Sequence, residues 1–400
     1  MIKVIYKKEE NKIPIKSWVT DLEDGALEQA KNLSNFPFSF RHISLMPDCH
    51  QGFGMPIGGV LATKGVVIPN AVGVDIGCGM CATKTHFKIE ELTLPILKEI
   101  MGEIRKQIPV GFSHHKQAQD EALMPIRERT KIVQNEYSNA LTQLGTLGGG
   151  NHFIEIQKGD DGYIWIMVHS GSRNIGYKVA KQYNDLAKEL NKNWGSGVPP
   201  FWDLAYFPLN SQEGKDYLKD MNYCLEFALA NRKLMMENIK DIFIEKFKDN
   251  GYEFLKHPSF NFDEMINIHH NYASMENHFG ENVLVHRKGA TSSRVGQIGI
   301  IPGSQGTCSY IVEGLGNPES FNSCSHGAGR KMGRNDAKRN LNLADEQKKL
   351  NDKGILHSVR NIDNLDEAPG SYKDIEVVME NQKDLVKILV KLEPLGVVKG

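Results

Sequence analysis

Short apolar runs separated by turn residues characterise the first hundred residues. Three runs have the composition of β-strands: Ile43–Met46, Val66–Pro69 and Ala82–His86. Apolar residues at helical spacing then predict a helix over Leu94–Ile108, with Thr93 as its N-cap and Pro95 in its first turn. The stretch 114–144 is polar and contains Pro125, so we predict irregular structure that gives way to a helix.

A β-hairpin is predicted between residues 152 and 169. The runs HFIEI and YIWIMV have strand composition, and KGDDG between them is typical of a turn. Antiparallel pairing of the two runs would bring His152 and His169 to the same open end of the hairpin. The pattern does not fix the register, so the face on which each imidazole lies stays open.

Strands and helices are mixed in the second half of the chain. Apolar positions at helical spacing predict a long amphipathic helix over 214–249, which we interpret as a structural wall or an insertion. Further helices are predicted over 329–352 and 373–386. Strand-like segments return at Asn282–Val285, Gln297–Ile301 and Ser309–Val312. The chain has no internal repeat and no linker at which it would divide, so we predict one large domain over residues 1–400.

The composition excludes binding to nucleic acid through bulk basicity. The 400 residues are 40% hydrophobic and 24% charged, and the formal net charge is -1. These values are ordinary for a globular protein. If RNA is the partner, the positive charge must therefore be focused locally.

The six cysteines have no regular disulfide-type spacing. The first 16 residues mix charged and apolar side chains and do not resemble a secretory signal, and no apolar run approaches the length of a membrane span. We therefore expect a cytoplasmic protein that does not interact with a membrane, whose cysteines pack, bind metal or react.

The 38 glycines are clustered, and each cluster has a titratable or metal-binding residue in it or beside it. Glycine lets a ligand approach the main chain closely, so the clusters are candidate site loops. They lie at 52–59, 73–79, 145–150, 171–176, 299–306 and 327–333.

Candidate metal ligands occur in three of these regions and in one histidine pair. Asp75 and Cys78 lie in the loop VGVDIGCGM, and a carboxylate with a thiolate suits manganese, zinc or iron better than calcium or magnesium. A buried cysteine in a tight turn capped by an aspartate is the alternative. His152 and His169 at one hairpin end strengthen the metal interpretation. In INIHHNYA either histidine of the pair at 269–270 could be a ligand, and the residues alone do not choose between them.

Candidate phosphate-binding segments follow. VHRKGATSS (285–293) is either a phosphate-binding turn or a solvated basic turn, and IPGSQGTCSY (301–310) offers backbone N–H groups and hydroxyls. In SCSHGAGRKMGR (323–334), His326 is placed by the pattern at a helix N-terminus, where it could attack or hold a phosphate; a histidine that caps a turn is the alternative. The P-loop, Rossmann, GxSxG and HExxH signatures are absent from the sequence.

The order of the fragments resembles the RtcB family of RNA ligases. The matching segments include MPDCHQGFGMPIGG (46–59), GVDIGCGM (73–80), GTLGGGNHFIEI (145–156), HSGSR (169–173), HHNYA (269–273), RKGA (287–290), IPGSQGT (301–307), SCSHGAGR (323–330), APGSYKDI (368–375) and VVKG (397–400). The resemblance runs from about Asp48 to the last residue. It implies an α+β fold, a single large domain with mixed β-sheets and surrounding helices, and a two-metal pocket.

The resemblance also implies roles for individual residues. His326 would be the nucleophile that takes GMP from GTP, and Asp48 would orient its imidazole. Two Mn²⁺ ions would be held by Asp75, Cys78, His152, His169 and His270. The GTP or GMP site would contain Asn151, Glu155, Asn271, Pro302, Gly303, Ser304, Ser309, Gly327, Ala328, Gly329, Tyr372 and Lys399. RNA phosphates would be bound by Arg173, His286, Arg287 and Lys288.

The implied reaction joins an RNA end with a 2′,3′-cyclic phosphate or 3′-phosphate to a 5′-hydroxyl end and consumes GTP. Whether a helper protein takes part in turnover is left open by the sequence. Two other functions are weighed against it. A metal-dependent phosphodiesterase or phosphatase on RNA ends would need the same metal ligands but not His326, Tyr372 or Lys399. A non-enzymatic RNA-binding protein would need a broad basic face, which this composition does not offer.

Overall fold

Helices and mixed sheets make up the computed structural model, which describes residues 3–252 and 262–400. The α-helices are α1 (Asp24–Asn35), α2 (Pro69–Val72), α3 (Leu94–Gln107), α4 (Lys131–Gln143), α5 (Arg173–Trp194), α6 (Gln212–Asp249), α7 (Arg334–Asn340), α8 (Leu343–Asp352) and α9 (Ile375–Asn381). The strands of the first half are β1 (Lys3–Ile5), β2 (Ile15–Ser17), β3 (Ser39–Phe53), β4 (Met55–Thr63), β5 (Val66–Val67), β6 (Gly79–Lys88), β7 (Phe153–Gly159), β8 (Tyr163–Ser170) and β9 (Phe207–Pro208). The strands of the second half are β10 (Ile266–His269), β11 (Asn271–His278), β12 (Glu281–Lys288), β13 (Ala290–Ser292), β14 (Ile298–Ile301), β15 (Ser309–Gly314), β16 (Ser323–Ser325) and β17 (Val386–Lys399).

Two large sheets carry most of the strands. One has the order β1-β2-β3-β4-β12-β11 and the other the order β10-β6-β8-β7-β17-β15-β14. The pair β2–β3 is parallel, whereas the other neighbours in these two sheets are antiparallel. The predicted α+β class is confirmed.

The predicted hairpin is present as β7 and β8. Its strands pair antiparallel with Phe153 opposite His169, so His152 and His169 lie at the same end, as expected. β6 pairs with β8 on the other side, with Gly79 opposite Ser170. The loop that carries Asp75 and Cys78 therefore ends at the same edge of the sheet as the two histidines.

The long helix α6 supports both halves of the core, as its predicted role as a wall requires. Its first half, including Phe227, packs with α4 and α5 in one apolar cluster. Its second half, including Met235 and Phe243, packs with α3 and the inner face of β7 and β8 in another. The helix is continuous over 38 residues.

Three predicted elements need correction. Only Val66–Val67 of the predicted strand at 66–69 forms a β-strand, because Pro69 begins a short helix. The helix predicted from 329 begins only at Arg334, so His326 does not lie at a helix N-terminus. Residues 326–333 instead form loop structure in which Gly329 has a positive φ of 74°. The helix predicted over 373–386 is limited to α9.

Among the described residues, no helix combines the length and the apolar character that a membrane crossing requires.

Candidate functional site

The ends of the two large sheets surround one deep cavity of about 1060 Å³. Most of the residues predicted for the site line it. From the metal group these are Asp75, Cys78, His169 and His270, and from the nucleotide group Asn151, Glu155, Asn271, Pro302, Gly303, Ser304, Gly327, Ala328, Gly329, Tyr372 and Lys399. Lys288 and His326 line it as well.

Five donor side chains converge at one end of this cavity. The Cys78 Sγ lies 3.4 Å from His152 Nε2 and 3.3 Å from His169 Nε2. His152 Nε2 lies 3.1 Å from Asp75 Oδ2, and His169 Nε2 lies 3.4 Å from His270 Nε2. Ligand atoms bonded to a tetrahedral metal ion at about 2.0 to 2.3 Å stand roughly 3.5 Å apart. These residues could therefore hold metal, with Cys78 shared between the two halves of the cluster.

Close backbone approach explains why glycine stands beside these donors. A Cβ on Gly171 would lie 2.4 Å from Asp75 Oδ1, and one on Gly79 would lie 2.0 Å from the carbonyl oxygen of Ile268. Larger residues at either position would push apart the strand ends that carry the cysteine and the histidines.

Burial controls the protonation of the cluster. It lowers the pKa of His169 and of His270 well below the usual value, and neighbouring imidazoles lower it further, so both rings are neutral. Burial also raises the pKa of the Cys78 thiol, and the Asp75 carboxylate adds to that rise. Neutral imidazoles are the form that binds metal, whereas a thiolate here needs a cation to compensate it.

The structure also distinguishes the two adjacent histidines. His270 points its Nε2 at His169, and its Nδ1 has no hydrogen-bond partner. The Nδ1 of His269 lies 3.1 Å from the Gly77 carbonyl oxygen and 3.3 Å from an Arg232 nitrogen, outside the donor cluster. His270 is therefore the member of the pair that faces the cavity. His152 Nδ1 lies 2.9 Å from the Leu147 carbonyl oxygen and donates its proton to it, so Nε2 is the unprotonated nitrogen that can bind a metal.

His326 lies beside the cluster with its ring held by a carboxylate. Its Nδ1 is 2.6 Å from Oδ2 of Asp48, which is fully buried, and the same oxygen accepts the backbone N–H of His326 and of Gly327. The His326 and His270 rings are 4.8 Å apart between centroids. Since Nδ1 is occupied, Nε2 is the nitrogen available to a reactant in the cavity.

A second group of acidic and basic side chains lies at the cavity. Lys399 Nζ is 2.7 Å from Glu367 Oε2, which also accepts a short hydrogen bond from the Tyr372 hydroxyl. Burial alone would raise the pKa of Glu367, but the charge of Lys399 and these hydrogen bonds lower it below its usual value. Glu155 is buried nearby with Oε1 unpartnered, and burial raises its pKa to about 8.

Two residues predicted for the nucleotide site have structural contacts instead. Ser309 is fully buried, and its Oγ accepts hydrogen bonds from the Gly303 N–H and from Gln157. It therefore shapes the 301–307 loop and does not line the cavity. Asn271 lines the cavity, but its side chain joins the Asp75 carbonyl oxygen to the Gly289 N–H.

The four residues predicted to bind RNA phosphates divide into two pairs. Arg287 is fully buried in an ion pair with Glu276, at 2.5 Å, and His286 is fully buried and accepts the Ile68 N–H. Neither lines the cavity, so this geometry does not support their predicted contact with RNA. Lys288 lines the cavity, and burial lowers its pKa to about 7. Arg173 is partly exposed, with its Nε donating to Thr146 Oγ1.

Sequence reasoning missed Glu367, Arg330 and Arg334. Arg330 and Arg334 line the cavity, and both form ion pairs with Glu367, at 3.2 and 3.6 Å. Arg330 directly follows the GAG segment after His326, which is a usable signal. Glu367 precedes Ala368 and Pro369 in a polar stretch without any pattern that would have identified it.

Comparison with known proteins agrees with this geometry. The family model described as tRNA-splicing ligase RtcB matches residues 29–127 and 114–400. The chain is 40% identical to the RNA-splicing ligase RtcB of Escherichia coli K12, over 97% of both chains. It is 31% identical to the tRNA-splicing ligases RtcB of Thermococcus kodakarensis and Methanococcus maripaludis, over 94% and 95% of this chain and 92% of each relative. Matched from residue 29 to its last residue, with full-length relatives at this identity, the chain belongs to the RtcB family.

Proposed function

We propose that this protein is an RNA ligase that joins a 2′,3′-cyclic phosphate or 3′-phosphate end to a 5′-hydroxyl end, with GTP as the energy source. The relatives named RNA-splicing and tRNA-splicing ligases support the reaction class. The observation that carries the proposal is His326, held through Nδ1 by the buried Asp48, with Nε2 left for the cavity next to the donor cluster.

The donor cluster fits two Mn²⁺ ions. Asp75, Cys78 and His152 would hold one ion, and Cys78, His169 and His270 the other. A carboxylate, a thiolate and neutral imidazoles together suit manganese, zinc or iron better than calcium or magnesium, and the neutral state of His169 and His270 is the state that binds. When bound, such ions neutralise charge on phosphate oxygens as Lewis acids.

His326 would act as the nucleophile. Its Nε2 forms a bond to the α-phosphorus of GTP while the bond to pyrophosphate breaks, and Asp48 stabilises the positive charge that develops on the ring. The guanylyl group then passes to the RNA 3′-phosphate, which frees His326. Attack by the 5′-hydroxyl on that activated phosphate forms the new linkage and releases GMP.

Guanine would bind in the part of the cavity that is lined by Glu155, Tyr372 and Lys399. Glu155 has a buried, unpartnered carboxyl oxygen there, which can accept the N–H donors of a guanine edge. Tyr372 and Lys399, which both contact Glu367, would line the guanine site, and Ser304 would line it from the 301–307 loop. Lys288 uses two N–H donors on the Phe53 and Asn70 carbonyl oxygens and keeps one for an RNA phosphate, with Arg173 as the second candidate.

Transfer of label from α-³²P-GTP to the protein in the presence of Mn²⁺ tests the proposal. We expect an acid-labile, alkali-stable GMP adduct that maps to the peptide containing His326. His326→Ala should abolish it while keeping the metal content, whereas His114→Ala, which changes an exposed histidine outside the cavity, should retain it. Hydrolysis of RNA-end phosphates without any adduct would favour the phosphodiesterase alternative and overturn the proposal.

A further inference from the structure

We propose that Phe53 and Val74 form a subsite for the terminal, unpaired nucleobase of an RNA end at the mouth of the cavity. The inference rests on the proposed function, because it assigns a place to the RNA on which that reaction acts. Both residues line the cavity that contains Cys78 and His326.

The two side chains are far more exposed than their types usually are. Phe53 is 78% exposed and Val74 is 58% exposed, while most phenylalanines and valines of the described chain lie in apolar clusters. Exposed apolar surface at a functional cavity indicates a ligand with an apolar face. Every nucleobase has such a face, and aromatic side chains bind unpaired bases by stacking on it.

Phe53 is held rigidly at the rim. It ends β3, and the turn to β4 passes through Gly54, which has a φ of 68° and lies so close to Asp203 that a Cβ would be 2.6 Å from its carbonyl oxygen. The carbonyl oxygen of Phe53 accepts a 2.6 Å hydrogen bond from Lys288 Nζ. The backbone that carries the ring is therefore ordered before a base stacks on it, which lowers the entropic cost of binding.

Val74 is held against the same lysine. A Cβ built on Gly73 would lie 3.4 Å from Cε of Lys288, so the backbone just before Val74 packs on the lysine stem. Just after Val74, the Asp75 carbonyl oxygen accepts a 3.0 Å hydrogen bond from Asn271. The backbones at Phe53 and at Val74 are therefore both anchored next to Lys288, and all three residues line the cavity.

This arrangement suits a nucleotide of the RNA and not the guanine of GTP. Lys288, whose Nζ contacts the Phe53 carbonyl oxygen and whose stem packs on Gly73, offers a phosphate contact next to the two apolar residues. The buried polar groups that could read a guanine edge, Glu155 and Tyr372, come from other elements together with Glu367 and Lys399. A stacking surface beside Lys288 would accept any base, which suits an enzyme that joins ends of differing sequence.

The test is a binding cycle in which the ring of Phe53 and the terminal base of the RNA are removed separately and together. Affinity of the manganese-loaded protein is measured by fluorescence anisotropy for single-stranded RNAs with a 3′-phosphate or a 5′-hydroxyl end. Each RNA is prepared intact and with an abasic terminal nucleotide. Phe53→Ala should weaken binding of at least one intact RNA by about fivefold to a hundredfold. The abasic change should weaken binding to the wild type by a similar factor and to Phe53→Ala by less than twofold.

Two further variants make the cycle specific. Phe53→Trp should restore the affinity of the intact RNA, since it keeps a stacking face. Phe201→Ala removes a phenylalanine that is 81% exposed but does not line the cavity, and it should change nothing. Equal binding by Phe53→Ala and the wild type, or an abasic effect of the same size in both proteins, would overturn the subsite.

Failure of the subsite and failure of the proposed function are distinguishable. Adduct formation with GTP needs no RNA, so the adduct assay on the wild type tests the proposed function separately from the binding cycle. A wild-type adduct together with no coupling between Phe53 and the terminal base overturns the subsite alone. Coupling in a protein that forms no adduct overturns the ligase proposal and supports the subsite, because the binding cycle needs no turnover.

Discussion

Cys78 is the donor that both halves of the proposed metal cluster share, through its contacts with His152 and His169. Because burial and Asp75 raise the pKa of its thiol, the thiolate depends on bound cations, and a hydroxyl at this position would be a far weaker ligand. We expect Cys78→Ser to lose most of the bound manganese, measured by elemental analysis after dialysis. Cys308→Ser changes a partly exposed cysteine outside the cluster and should keep it. Full occupancy in Cys78→Ser would contradict the shared-ligand assignment.

Glu155 should make the stability of the free protein depend on pH. Burial raises its pKa from 4.5 to about 8, so the folded state binds a proton that the unfolded state releases between these values. The stability of the wild type should therefore fall, through this group, as the pH rises across that window. Glu155→Gln has no such proton, and its free energy of unfolding should gain on the wild type by about 2 kcal/mol between pH 5 and pH 7. Urea unfolding at the two pH values measures this, and a difference independent of pH would contradict it.

At the residue scale, the sequence carried the reactive side chains but not all of their partners. Asp48 and His326 are 278 positions apart, and no pattern within the chain links them; the family resemblance did. The pairing of Arg287 was not predictable, because a basic residue in a glycine-containing turn has the same pattern whether or not it is paired. Its partner Glu276 lies on the neighbouring strand β11, but the register puts Tyr272 and not Glu276 opposite Arg287, so the long side chains reach each other diagonally.

Helix α6 connects to the site through buried polar residues, and Arg232 is one of them. Its Nη1 donates to the carbonyl oxygens of Gly77, at 3.0 Å, and of Ser170, at 2.9 Å, and its Nε donates to Asn267 at 2.7 Å. One side chain of the helix thereby joins the loop that carries Cys78 to the strand end that carries His169.

We expect Arg232→Met to lower both stability and metal affinity. It would leave these buried acceptors without donors, at a cost of about 3 kcal/mol in the free energy of unfolding. Manganese titration well below the melting temperature should show weaker binding in the folded variant, because the two strand ends are no longer joined. Lys233→Met alters the neighbouring, exposed position and should affect neither quantity. Loss of stability with unchanged manganese affinity would mean that Arg232 supports the fold but does not position the cluster.

Elements were predictable where a local pattern determined them. The hairpin at 152–169 combines two β-branched and aromatic runs with a turn, and α3 begins after Thr93 with Pro95 in its first turn, as expected. The helix predicted from residue 329 was wrong because Gly329 packs on Asp48, where a Cβ would lie 2.2 Å from the Asp48 carbonyl oxygen. Because of that tertiary contact, residues 326–333 form a loop, and the helix begins only at Arg334.

The whole molecule is needed to form the cavity. Asp48 in β3, the Cys78 loop and the β7–β8 hairpin come from the first half of the chain, whereas His270 and His326 come from the second. β17 closes the arrangement, because its residue Lys399 pairs in register with Phe153 of β7. The glycine clusters indicated which loops belong to the site, but only the sheet order explains why they meet.

Lys399 provides a test of whether the proposed nucleotide site and the proposed metal site function separately. Its Nζ contacts Glu367 and the Gly150 carbonyl oxygen and none of the five metal donors. Lys399→Met keeps the backbone pairing of β17 but removes this charge, so Glu367 retains only Arg330, Arg334 and Tyr372 as partners. We expect GTP affinity, measured by calorimetry, to fall about tenfold, while the manganese content stays unchanged. Lys387→Met, at an exposed position of the same strand, should alter neither quantity. A parallel loss of GTP and manganese in Lys399→Met would mean that β17 holds the whole cavity together, and that nucleotide and metal sites cannot be separated in this protein.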